Sequence, residues 1–462
     1  MQTRDMKTII LSLIVVASQP GTQAGEGSTE RYVAHEWGTF TSVQGADGIL
    51  VPWHPLETTQ LPRFVYDWSR PGLGRQPAGP LNPGSKSAFT TLQRMETPVI
   101  YFYSDREKVV DVTVRFPQGF ITEWYPQTQE IGPATFPPGR LATALDDLVR
   151  KTGARPQFTF ASAFGKRGIP DSRIHWKDVQ ILPARRHADL AVGMPAEFSG
   201  NHYFAARETD ADFVRVSTPD KSAPEHEKFL FYRGVANFQT PLKVTLGGAS
   251  EKWFQLANNG AAELRHLFIL NVRNGEGEFT ELESLAPGGS WSFDFDGQSK
   301  RAPLGRMADQ LGRQLESALT KEGLYEREAS AMVKTWRESW FEEEGSRVIY
   351  LLPRAWTDET LPLAIKPEPR EIVRVMVGRA EIITPTTEWQ LIRQIVRYAD
   401  GDAVARGEAV DRVRQMGLGR FFQPAMQLAL GNRPNREFSQ AAWGLVNGAA
   451  AKRDEAKPVA SR

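Results

Sequence analysis

His35-Glu36-Trp37-Gly38-Thr39-Phe40-Thr41 sets an imidazole beside a carboxylate and an indole, followed by a glycine that lets another group approach the backbone. That composition suits metal ligation or general acid/base work. Neighbouring side chains of a strand point to opposite faces, so His35 and Glu36 serve one ligand only where a bulge intervenes. Two further carboxylates stand in aromatic surroundings: Glu96, just before Tyr101 and Tyr103, and Glu123, in Thr122-Glu123-Trp124-Tyr125-Pro126. Paired carboxylates flanked by aromatic platforms, here Trp37, Trp124 and Tyr125, are what a glycan-cleaving cleft needs, one as acid and the other as base or nucleophile. The plainer reading makes each glutamate a rim residue bonding backbone or arginine. Asn201-His202-Tyr203 and Glu225-His226-Glu227 could lend ligands to a site built around His35, which makes His35 and His202 the candidate metal ligands.

All seven histidines lie within the first 266 residues, so any imidazole chemistry belongs to that part of the chain. No two sit at the i,i+4 or His-x-His spacing of a metal site, and scattered surface histidines are the plainer reading. The chain has no G-x-S-x-G elbow, no phosphate loop, no dinucleotide fingerprint and no H-E-x-x-H. Ser292-x-Asp294-x-Asp296-Gly297 begins like a calcium loop, but Pro303 stands where the bidentate glutamate belongs. Glu342-Glu343-Glu344 closes a helical stretch and reads as a solvated face or as partners for Arg347, with a cation site as the alternative.

The 462 residues are 40% hydrophobic and 24% charged, a globular composition long enough for several structural units. Lys plus Arg is 56 against 55 for Asp plus Glu, which removes the electrostatic footprint of a dedicated nucleic-acid binder. The absence of cysteine rules out disulfides, thiolate zinc, iron–sulfur clusters and covalently attached haem. No nucleotide is expected either, and a divalent metal is the one cofactor these residues could hold.

Arg4 and Lys7, an apolar run over residues 8–17 and a small residue at Ala24 make a signal peptide over residues 1–24, which implies a periplasmic or extracellular mature chain. That run is too short to span a bilayer, and the chain has no other that could.

Residues 25–225 read as a β-rich domain. Val110, Val112, Val114 and Phe116 alternate with polar residues as a half-buried strand, and Pro98-Val-Ile-Tyr-Phe-Tyr103 is a strand covered on both faces; the two are expected to pair as a hairpin. Residues 69–94 form a long Pro/Gly loop, a place for a lid. Residues 226–301 give four strands separated by Gly/Asn turns, a spacing that suits an immunoglobulin-like sandwich. From Pro303 the period changes, and residues 302–385 predict a helical hairpin plus two strands, with Ala329, Met332, Val333, Trp336 and Trp340 on one buried helix face. Residues 386–450 predict three helical stretches, and 451–462 a disordered tail. The fold class is thus mixed β and α, a β-sandwich-rich N-terminal two thirds followed by a mainly helical C-terminal region.

The segments His35-Glu-Trp-Gly-Thr-Phe-Thr-Ser-Val43, Arg94-Met-Glu-Thr-Pro-Val-Ile-Tyr-Phe-Tyr103, Ile121-Thr-Glu-Trp-Tyr-Pro126, Phe231-Tyr-Arg-Gly-Val235 and Val333-Lys-Thr-Trp-Arg-Glu-Ser-Trp-Phe341 resemble an uncharacterised family of exported bacterial proteins. The resemblance implies export and a shared architecture, and no reaction. Two functions follow as expectations. One is a binding or assembly protein of the cell envelope, whose partner is a glycan or another exported protein. The other is an extracytoplasmic hydrolase, metal-assisted where His35 and His202 hold an ion, with Glu36, Glu96 and Glu123 as its acids and bases.

Overall fold

The computed structural model describes residues 30–55, 61–68, 89–132, 158–159, 172–190, 202–217, 223–248, 251–295, 301–431 and 436–455. The expected signal peptide and residues 69–88 of the expected loop lie outside the described residues.

A ten-stranded sheet forms the centre. In spatial order it runs β18 (Ala302–Pro303), β16 (Glu276–Leu285), β15 (Leu264–Arg273), β19 (Gly345–Leu352), β21 (Glu371–Ile383), β1 (Tyr32–Gly45), β4 (Gln93–Ser104), β12 (Leu230–Ala236), β6 (Gly119–Tyr125) and β2 (Tyr66–Asp67). β1 and β21 pair parallel, and β1 pairs antiparallel with β4 on its other side. A second sheet contains β11 (Glu225–Glu227), β10 (Phe213–Val216), β9 (Arg173–Leu182), β5 (Lys108–Arg115) and β20 (Leu363–Lys366), with β7 (Glu130–Gly132) also on β9. A third contains β13 (Leu242–Gly247), β14 (Trp253–Asn258) and β17 (Ser290–Asp294), and β3 (Phe89–Thr90) pairs with β8 (Phe158–Thr159).

Among the described residues the helices are α1 (His202–Ala205), α2 (Leu304–Lys321), α3 (Glu326–Arg337), α4 (Arg354–Thr360), α5 (Pro385–Asp400), α6 (Ala403–Gln415), α7 (Phe422–Leu430) and α8 (Arg436–Glu455). A π-helical turn (Glu338–Glu342) extends α3, and a 3₁₀ turn (Gly419–Phe421) precedes α7.

One face of the large sheet, through Ala34, Phe40, Ile100 and Phe102, shares a core with Val112 and Ile174 of the second sheet and Val244 and Phe254 of the third. The opposite face meets helices in two separate clusters. Trp37, Val99, Tyr101 and Val377 pack against Leu311, Met332 and Trp340, whereas Val43 and Ile383 pack against Leu391, Ile395 and Phe421. The central strands are covered on both sides, which is why β1 and β4 are buried along their whole length.

The helical hairpin forms as its period requires. Pro303 caps α2, whose end is followed by Gly323 at φ +107°, a conformation that glycine adopts without steric cost. Trp336 and Trp340 are both buried with rings 6.1 Å apart, although Trp340 stands on the π-helical turn rather than on α3 itself.

Four expectations change. β4 and β5 form no hairpin: β4 lies in the large sheet and β5 in the second, because Val110, Val112 and Val114 face across to the buried face of β4 instead of extending its ladder. The strands within residues 226–301 close no sandwich of their own, since β12, β15 and β16 join the large sheet while β13, β14 and β17 form the third. Residues 89–94 belong to β structure rather than to the loop. Among the described residues the C-terminal region holds four helices, the last continuing through Glu455 into the segment expected to be a disordered tail.

Trp340→Ala should lower stability by about 3–5 kcal/mol, because it removes a large side chain from a region packed between sheet and hairpin. Urea denaturation followed by circular dichroism measures this, and a loss below about 1 kcal/mol would contradict the packing.

Candidate functional site

β1 is regular at residues 35 and 36, so His35 and Glu36 leave it on opposite faces and enter different networks. On the helical side, His35 Nδ1 lies 2.7 Å from Glu328 Oε2, and the Tyr103 hydroxyl donates to Glu328 Oε1 at 2.8 Å. Glu328 is in the first turn of α3 and also accepts the Tyr325 backbone N–H at 2.9 Å, so one carboxylate caps the helix and orients the imidazole. The His35 ring packs 4.4 Å from that of Tyr325. His35 is 1% exposed and Glu328 is fully buried. The carboxylate beside the imidazole is therefore Glu328, not Glu36.

On the sheet-packed side, Glu36 accepts from the Tyr232 hydroxyl and from Arg374 Nε. Arg374 reaches on to Asp358 Oδ1 of α4 at 2.8 Å. Burial acts against the Arg374 charge, but Glu36, Tyr232 and Asp358 together outweigh it and raise its pKa.

Glu96 and Glu123 are brought into one ionic belt. Glu96 accepts from Thr41 Oγ1 at 2.6 Å and from Arg420 Nη1 at 2.8 and 2.9 Å, while Arg94 Nε lies 3.6 Å from its Oε2. Arg233 Nε donates to Glu123 Oε2 at 2.9 Å. Burial pushes the Glu96 carboxyl up, but Arg420, Arg94 and the Thr41 hydrogen bond bring it down to about 2. A carboxyl held that low stays ionised at neutral pH and donates no proton.

The belt continues across the sheet. Arg379 Nη2 donates to Glu343 Oε2 at 2.7 Å and to Glu381 Oε2 at 2.8 Å; Arg347 Nε donates to the same Glu381 oxygen at 2.9 Å. Burial raises the Glu343 pKa, and Arg379, Arg420 and Arg347 more than reverse it. Gly345, at φ +130°, lies so close that a Cβ there would stand 2.7 Å from Glu381 Oε1. Of the three glutamates expected to be solvated or to pair with Arg347, Glu343 pairs with Arg379 and Glu342 with Arg337, while Arg347 takes the main-chain carbonyls of Glu343 and Glu344.

The remaining expected residues lie elsewhere. His202 opens α1, exposed, with its ring stacked 6.1 Å from that of Trp336, and shares no ligand set with His35. Trp37 and Trp124 are fully buried, and partly buried Tyr125 stacks on Tyr66, so none forms an open platform. Glu227 binds Arg207 Nη2 at 2.7 Å, and Glu225 accepts from the Tyr66 hydroxyl at 2.6 Å. Among the described residues no group of three or more His, Asp or Glu side chains could hold a metal.

Sequence reasoning passed over Glu328, Arg374, Arg379, Glu381 and Arg420. Arg379 and Glu381 carried a usable signal: charges at period two inside the apolar stretch of β21 must be paired once both sheet faces are covered. It also passed over a polar groove of about 360 Å³ between the large sheet and α2, lined by His266, Glu281, Gln310, Arg313, Ser317 and Lys321. His266 takes φ +50° at a bulge in β15 and places Nδ1 3.1 Å from Glu281 Oε1.

No protein-family model matches the chain, and no curated protein matches it. Solved structures similar to it include the yeast delta-COP-I mu-homology domain, at 6% identity over 76% of this chain and 97% of that one, with a TM-score of 0.26. The same domain complexed with a Dsl1 WxWxV peptide matches at 6% identity, 76% and 98% coverage and a TM-score of 0.25. Likeness at this level carries no argument about function.

Glu96 contributes stability that is complete above its unfolded pKa, near 4.5, and lost as pH falls from there towards its folded value of about 2. The difference corresponds to about 3 kcal/mol. Urea midpoints at pH 7 and pH 3 should therefore differ less for Glu96→Gln than for the wild type; equal differences would remove Glu96 from the belt's energetics.

Proposed function

We propose that the chain is an exported binding or assembly protein of the cell envelope whose partner is another exported protein. The observation that supports this reading is the state of its chemically capable residues. Glu36 and Glu123 each face a buried guanidinium, Glu96 faces the partly buried guanidinium of Arg420, and His35 faces a buried carboxylate. Groups held this way fix the positions of strands and helices, and they lack the reach to substrate and water that hydrolysis requires. Of the two partner classes, a glycan is disfavoured because Trp37 and Trp124 are buried. A protein partner is supported by apolar side chains on the C-terminal helices, where Trp389 is 62% exposed, Val404 69% and Val396 46%. Export rests on the signal peptide read over residues 1–24, and among the described residues no helix is long and apolar enough to cross a membrane.

Site-specific photo-crosslinking in the native host tests the reading. A photoreactive residue at position 389 should give a discrete adduct with one other envelope protein, and the same group at exposed Glu283 should not. Identical adducts at both positions would overturn the proposal. So would release of fragments from an envelope glycan by the purified protein, if that activity were lost in Glu123→Gln.

A further inference from the structure

The charges of the belt are unevenly distributed along it. At one end Arg347 and Arg379 face Glu343 and Glu381, the charges balance, and a single donor, Arg379 Nη1, is buried without a partner. At the other, among the described residues, Arg94, Arg233 and Arg420 surround only Glu96 and Glu123. Within this second group Arg94 Nε, Arg233 Nη2, and both Nε and Nη2 of Arg420 are closed off from solvent without a hydrogen-bond partner. Trp53 Nε1 is in the same condition, and the Arg420 guanidinium carbon lies 6.0 Å from the Trp53 ring. Among the described residues, no carboxylate oxygen of the belt is left buried and unpaired. The unmet demand is thus for acceptors and negative charge.

We propose that Arg94, Arg233 and Arg420 form a binding site for one small tetrahedral oxyanion of the phosphate or sulfate class. The unpaired Nε–Nη2 edge of Arg420 is the edge of a guanidinium that receives two oxygens in parallel, since its Nη1 is already engaged with Glu96. Arg94 makes no hydrogen bond through its guanidinium among the described residues, and its only ionic partner is Glu96 at 3.6 Å. Arg94 is 5% exposed and Arg233 6%, so a polymer chain does not reach these guanidinium groups. Uncompensated burial supports the same conclusion: it pushes the Arg94 pKa down to about 10, against the pull of Glu96 and with the repulsion of Arg233 and Arg420. The proposal stands apart from the protein-partner reading and neither requires nor excludes it.

The test is thermal unfolding and calorimetric titration of the purified protein with sodium sulfate and sodium phosphate, at ionic strength held constant with chloride. Saturable binding with a rise in Tm is expected for the wild type. Arg94→Met and Arg420→Lys should each weaken it by about tenfold or more, the loss expected for one charge-assisted hydrogen bond. Arg265→Met, which alters an exposed arginine, should leave it unchanged. If Arg94→Met does not fold, Arg420→Lys decides the matter, because it keeps a positive charge for Glu96 and removes the two-donor Nε–Nη2 edge. Absence of saturable binding for both anions would overturn the proposal. So would equal affinity in the wild type and Arg420→Lys, or acetate binding as tightly as sulfate, which would indicate a site for a planar carboxylate.

Discussion

Glu96 holds three parts of the molecule at one point. It stands on β4, accepts a hydroxyl proton from Thr41 of β1, and takes both hydrogen bonds of Arg420, which lies 324 residues away in the turn before α7. A buried carboxylate without such partners would cost several kcal/mol or take up a proton. The helical C-terminal region therefore docks where Arg420 can reach. Positions on either side of Glu96 obey the same constraint, because the charged row crosses β6, β12, β4, β21 and β19 beneath covering structure.

The row divides one sheet face into two apolar territories. On one side lie Trp37, Val99 and Val377 under the α2–α3 hairpin; on the other lie Val43 and Ile383 under α5, α7 and α8. Apolar burial alone is indifferent to small displacements of a helix across a sheet, whereas a guanidinium paired with a carboxylate is not. Strand register is fixed by the same row. A one-residue slip of β21 would turn Arg379 and Glu381 towards the core shared with the second and third sheets, and would bring Ala380 and Ile382 under Glu343. His35 and Glu36 extend the principle through the sheet, since adjacent residues tie β1 to α3 on one side and to Arg374 and α4 on the other.

Much of the architecture was legible in the sequence, and the gaps have physical causes. Alternation marked β5, continuous apolar runs marked β4 and β15, and the three-and-four period marked α2 and α3, because each pattern reports directly which faces are covered. β16 escaped because its exposed face is mostly glutamate and threonine, which gives little apolar alternation to read. Pairing was less legible than existence. A short connection after β4 suggests a hairpin, yet the following strand crosses to another sheet, and only the packing of Val110, Val112 and Val114 reveals it. His35, Glu96 and Glu123 were visible as unusual residues. Their partners were not, since Glu328 and Arg420 lie hundreds of residues away and neither stands out in its own segment.

Residues suited to catalysis and residues suited to holding a covered sheet are drawn from the same set, because both tasks require strong, directional polar groups. Surroundings separate the two uses. A catalytic carboxyl needs an environment that raises its pKa towards the working pH and a route for substrate; Glu96 has cations on both sides that lower it. A catalytic histidine can be oriented by a carboxylate, as His35 is by Glu328, but here the orienting group is also the cap of α3, and the imidazole lies against Tyr325 and Tyr103. The one part of the network whose charges do not close is the end around Arg94, Arg233 and Arg420. Elsewhere in the network Arg374 Nη2 and Arg379 Nη1 are single buried donors without a partner, whereas His35, Glu36, Glu227 and Arg347 have theirs engaged. Around Arg94, Arg233 and Arg420 four such donors gather, two of them on one guanidinium edge, and that concentration separates a site from a fastening.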